Sequence, residues 1–217
     1  MRRAARLALL MLAALAGGAA AAPPAFPFRD GLAAATLKAR PATLLNLGGY
    51  ALYFERTSMR EVLRTVGVGV IHHQGDAGAS LDWICYRLPG AAPQWLWITS
   101  GELQGGQIVD GVVAREAEAK DIAADCAELP ERFRPASLDH GVWLGTTRAA
   151  LQDALGQASA QRDGWLEWCF EARGSDQHHD AGSNTTSSVD HDESSSLVLR
   201  LEGERVVELF ADKDTTY

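Results

Sequence analysis

The sequence predicts an α+β protein of two tandem units, each a short helix followed by an antiparallel β-meander. Three observations predict it. A capped helix of one make-up occurs twice, at Thr57 and again at Thr146. Each copy leads into a strand carrying a cysteine followed by an aromatic residue. Each unit then closes on a glycine turn and a valine-rich strand.

Both helices follow from local chemistry. In "GTTRAALQDALG", Thr146 or Thr147 caps the first turn through its hydroxyl. Leu151 and Leu155 share one face, and Gly156 ends the helix in a left-handed turn. In "TSMREVLRTVG", Thr57 and Ser58 hold the cap positions, Val62 and Val66 the apolar ones, and Gly67 the stop. Downstream, "LDWICYRL" sets Cys85 before Tyr86, and "WLEWCFEA" sets Cys169 before Phe170. The strands "QWLWITS" and "SLVLRLE" come next. Then "GGQIVDGVVAR" aligns with "EGERVVELFAD", matching Gly106 to Gly203, Val109 to Val206 and Val112 to Leu209. Cys85 to Gly106 spans 21 residues and Cys169 to Gly203 spans 34, so the second unit carries 13 extra residues between its strands.

The organisation read along the chain is a leader (1–21), an N-terminal extension (22–52), a first unit (53–115), a linker with a short helix (116–140) and a second unit (141–217). The second unit holds a Ser/His/Asp-rich insert at about 174–195. In the leader, "MRR" is basic, Leu7 to Ala16 is apolar, and small residues follow. That apolar run is shorter than the roughly 20 residues a membrane span needs. It reads as a signal peptide cut near Ala21, giving a soluble chain in the periplasm or the medium. The Ala-rich, Lys-poor composition fits a GC-rich bacterial genome.

Removing the leader takes three arginines, leaving 17 Lys+Arg against 28 Asp+Glu, a balance of −11. Such a chain is repelled by nucleic acid and anionic lipid, so neither is an expected partner. Of the three cysteines, two are expected to pair in an oxidising compartment. Spacing permits three pairings. Cys85–Cys126 is favoured because it would tie the linker to the first sheet. With no C-x-x-C, neither a thioredoxin-like redox site nor a zinc knuckle is indicated.

The run "LGTTRAALQDALGQAS…GWLEW", ending in "GERVVELF", resembles the repeat shared by β-lactamase-inhibitor proteins and SmpA/OmlA-type outer-membrane assembly lipoproteins. The second copy, Gly141 to Phe210, carries the resemblance; the first, Tyr53 to Arg115, has "YFERTS" in place of the "LGTT" lead-in. The resemblance implies tandem α/β units whose sheet grips another protein. The chain has no cysteine for lipid attachment after the leader, unlike the assembly lipoproteins.

Strand alternation puts Trp95 and Trp97 on one side of their strand, and Trp83 and Arg87 on one side of the neighbouring strand. If the helix covers the Ile84, Tyr86 and Leu88 face, these four residues line the open face as a protein-binding site; the competing reading packs the tryptophans in the core. The insert offers His178, His179, Asp180 and His191 as metal ligands, or else forms a solvated loop. His72 and His73 read as loop residues. None of G-x-S-x-G, S-x-x-K or H-E-x-x-H is present. The expected function is a non-enzymatic binding module acting on another envelope or secreted protein, with no cofactor. The alternatives are a periplasmic metal-binding protein and a small hydrolase.

Overall fold

The computed structural model describes residues 22–28, 37–76, 80–101, 107–117, 126–179 and 186–217. The leader, Gly106, Asp180 and most of the expected linker helix lie outside them. Two strands come first, β1 (Leu44–Leu47) and β2 (Tyr50–Tyr53), then helix α1 (Met59–Val66). Four strands follow: β3 (Ile71–Gln74), β4 (Leu81–Leu88), β5 (Gln94–Gly101) and β6 (Gly111–Glu116). The short strands β7 (Ala127–Glu128) and β8 (Ala136–Leu138) precede helix α2 (Arg148–Leu155). The chain finishes with β9 (Ala160–Arg162), β10 (Trp165–His179), β11 (Thr186–Glu202) and β12 (Arg205–Thr216).

The helix caps and glycine stops fall where the sequence predicts, but only Gly67 adopts the left-handed turn; Gly156 has positive φ with an extended ψ of −161°. The Glu61 N–H donates to Ser58 Oγ (3.2 Å) and the Ala150 N–H to Thr147 Oγ1 (3.3 Å), while Gly67 and Gly156 end the helices at positive φ. Val62, Val66 and Leu151 are buried.

The architecture corrects the predicted fold class. Of the described residues, 52% lie in strands and 14% in helices, and α1 and α2 are eight residues each. The protein is mostly β, not an α+β pair of helix-plus-meander units. The strands run in the order β3-β4-β5-β6-β12-β11-β10-β9, with β7 beside β4, as one nine-stranded sheet. The joint is β6 against β12, antiparallel from Gly111↔Asp212 to Arg115↔Glu208. A free-standing meander would leave the main chain of its last strand unpaired; joining the two satisfies both edges. A second sheet, β2-β1-β8, draws on the N-terminal extension and the linker.

The main sheet is covered on both faces. On one face Ile84, Tyr86, Leu96 and Ile98 pack with Met59, Val62, Val66 and Leu151 of the helices and with Leu45, Leu47 and Leu52 of the small sheet. On the other, Trp83, Cys85, Trp95 and Trp97 pack with Val113, Val198, Phe210 and Phe28. Cys85 is disulfide-bonded to Cys126 across a Cα–Cα distance of 4.8 Å, as expected, which docks β7 parallel to β4 at Tyr86↔Ala127. Among the described residues no helix is long and apolar enough to cross a membrane.

The cross-link closes a sequence separation of 41 residues. On the chain-entropy account its removal costs about 4 kcal/mol. The double variant Cys85→Ser/Cys126→Ser is therefore expected to unfold at markedly lower denaturant, measured by urea titration. An unchanged midpoint would show that the linker is held by its other contacts alone.

Candidate functional site

Strand register builds a line of side chains across the face away from the helices. Cys169 pairs with Ser196, Ser196 with Asp212, Asp212 with Gly111, and Gly111 with Thr99, crossing five strands. Two residues along, a parallel line runs Glu167, Val198, Phe210, Val113 and Trp97. The first line is small and polar and the second is mostly apolar. Between them lies a cleft of about 510 Å³ with Thr99, Cys169, Ser196 and Asp212 at its floor and Val113, Phe210 and Leu81 at its walls. Pro23, Pro24 and Phe26 form its rim, with Phe26 edge-on to Phe210 at 5.6 Å.

The floor depends on Gly111. A Cβ there would stand 2.9 Å from the Ala211 carbonyl oxygen and 2.9 Å from Thr99 Oγ1, so any larger residue would push β6 off its neighbours.

Carboxylates give the cleft its character. Glu167 is 3% exposed. Burial pushes the Asp212 carboxyl up to about 6; Ser196, whose hydroxyl donates to Asp212 Oδ1, opposes this, while the charges of Asp110, Asp214 and Glu167 add to it. Burial likewise raises Asp110, against the pull of the Gly101 N–H that donates to it. Burial, aided by Glu167, Glu171 and Asp212, lifts the Cys169 thiol to about 11, so it stays protonated at neutral pH. Chemically, this is a set of acceptors and negative charge under apolar walls, suited to a ligand with an aliphatic or aromatic body and a cationic end.

The residues singled out in the sequence fall elsewhere. Alternation does separate Trp83, Trp95 and Trp97 from the helix side, but that face is not open. The three are 2%, 4% and 2% exposed, packed among Phe28, Val113, Val198 and Phe210, so they are core and not a contact surface. Arg87 is half exposed and pairs with Glu128 at 3.0 Å. His72 and His73 lie on β3, with the His72 ring stacked on Trp83 and His73 bonded to Asp82 at 2.8 Å.

The insert is not a loop within the described residues: strand pairing runs through His179 and resumes at Thr186. His191 stands opposite Gly174, and its ring lies over that glycine, 3.7 Å from Asp176 and against Tyr217. On the backbone, His178 pairs with Ser187, four residues along β10 from the Gly174↔His191 pair, about 13 Å at strand spacing. Asp180 lies outside the described residues. Among the described residues no three ligating side chains are grouped for a metal.

Sequence reasoning passed over Asp212, Glu167, Ser196 and the Pro23–Phe26 rim. A signal for Glu167 exists: in "WLEWCF" a carboxylate alternates with Trp165 and Cys169 on one strand face. Asp212 carries no such mark, because its place follows only from the β6–β12 register. Comparison with protein-family models, curated proteins and solved structures gives no match, so the reading of this cleft rests on its own geometry.

The Asp212 shift has a consequence for stability. Its folded carboxyl holds a proton more tightly than an unfolded one, whose ordinary value is 3.8. The contribution is therefore fully present below that value and is lost as pH rises through about 6. Asp212→Asn is expected to match the wild type in urea unfolding near pH 4 and to exceed it at pH 7.5 by on the order of 2 kcal/mol. A gap of equal size at both pH values would contradict the assignment.

Proposed function

We propose that this chain is an exported, non-catalytic binding module that holds another envelope or secreted protein through the cleft rimmed by Pro23, Pro24 and Phe26. The observation that carries the reading is the cleft itself, with apolar walls over a floor of buried carboxylate. A lysine or arginine side chain fits it by chemistry: the aliphatic stem lies along Phe210 and Val113 while the head meets Asp212. The leader-like N-terminus supports export, and the Cys85–Cys126 disulfide is consistent with an oxidising compartment. The resemblance to inhibitor-type repeats points the same way.

The partner is sought by capture from periplasm and medium on tagged chain lacking residues 1–21. Wild type and Asp212→Asn serve as paired baits, each first verified as folded. A protein held by wild type at pH 7.5, lost by Asp212→Asn and released as pH falls below about 6, where Asp212 takes up its proton, is the expected result. Equal retention by both baits would place the contact outside the cleft.

A further inference from the structure

Among the described residues, the outer edge of β10 is occupied only at its start. The Glu167 carbonyl accepts the Ser159 N–H (2.7 Å), the Cys169 N–H donates to Ser159 Oγ (3.2 Å), and the Cys169 carbonyl accepts the Leu37 N–H (3.2 Å). The main-chain groups of Glu167 and Cys169 therefore point away from β11. The β10–β11 register is unbroken from Trp165↔Arg200 to His179↔Thr186, so the same alternation turns Glu171, Arg173, Ser175 and Gln177 outward. Among the described residues, no strand or main-chain group pairs with these four beyond β11. The open stretch from Glu171 to Gln177 is roughly 23 Å of strand edge, longer than most whole strands.

Sequence chemistry tunes this edge. Ala172, Gly174 and Ser175 are small, so a second backbone can approach closely. Around them stand Glu171, Asp176, Asp190, Asp192 and Glu193 against Arg173. Arg173 pairs with Asp192 at 3.0 Å, and Glu193 is bound by Arg40 and Lys213. Asp176 accepts the Tyr217 hydroxyl at 3.2 Å, a neutral donor that leaves its charge in place, so Glu171, Asp176 and Asp190 set the sign. A second copy of the chain would bring two acidic ribbons side by side and be repelled.

We infer that the β10 edge between Glu171 and Gln177 is a second interaction surface, taking an extended, basic segment of another protein as an added strand. Main-chain hydrogen bonds supply the affinity and the acidic flanks choose the partner. The surface is distinct from the cleft and stands or falls without it.

The probe is a short synthetic peptide of alternating lysine and threonine, titrated into the chain lacking residues 1–21. A control peptide has its alternate main-chain nitrogens methylated. The expected result is salt-sensitive binding that protects the Arg173 and Ser175 amides from hydrogen exchange, with none by the methylated peptide. Ser175→Pro removes one outward N–H without costing a β11 hydrogen bond, and should weaken binding about tenfold at unchanged melting temperature. Should that variant not fold, Glu171→Lys/Asp176→Lys replaces it, with the same loss expected. No binding by the lysine–threonine peptide, equal binding by the methylated one, or undiminished binding by the variants would each overturn the inference.

Discussion

The pairing of β6 with β12 is the constraint on which the rest depends. Five residue pairs turn strands from distant parts of the chain into neighbours, and only through them do Thr99 and Asp212 share a surface. Gly111 lies at the closest point of that joint. The cleft floor is thus a product of tertiary register and not of any local motif. A slip by one residue would turn Phe210 and Asp212 to the helix face and bring Leu209 and Ala211 in their place.

The N-terminal segment ties the two faces together. Residues 22–28 lie on the cleft side, where Phe28 stands edge-on to Trp165 at 5.8 Å. At Leu37 the chain bonds to the β10 edge at Cys169, and by Arg40 it has reached the helix side, over the Phe170 ring and against Glu193. The Ala42 carbonyl then accepts the buried Ser195 hydroxyl, and Lys213 pairs with Glu55 beside it. Charges that would be costly to bury singly are paired there, which fixes where the segment crosses. On the cleft side the rim is held by ring contacts, Phe26 against Phe210 and Phe28 against Trp165 and under Arg162.

What was legible in the sequence is what depends on near neighbours. The helix caps at Ser58 and Thr147, the glycine stops and the alternation of Trp95 and Trp97 against Leu96 and Ile98 are local, and the structure has them. The Cys85–Cys126 pair was legible as the cross-link that ties the linker to a strand. What was illegible is long-range. Nothing in "GVVAR" or "ELFAD" says that these strands meet, and without that joint the pattern reads as two separate units. The tryptophan face looked free because its cover comes from Phe28 and Phe210, more than fifty residues away in either direction along the chain. The insert looked like a loop because Ser, Asp and His are poor strand formers, yet continued pairing with β11 overrides that preference.

The proposed binding role, with an acid floor to the cleft, makes a direct chemical demand: apolar cations should enter and their uncharged or anionic analogues should not. The most direct test follows the main-chain amides of the chain lacking residues 1–21 by NMR while n-hexylammonium is added, with n-hexanol and hexanoate in parallel. At pH 7.5 the account predicts that hexylammonium moves the amides of Thr99, Ser196 and Asp212, that the two analogues do not, and that the response fades as pH falls below 6. Equal shifts from all three compounds, or shifts confined to α1 and α2, would contradict it.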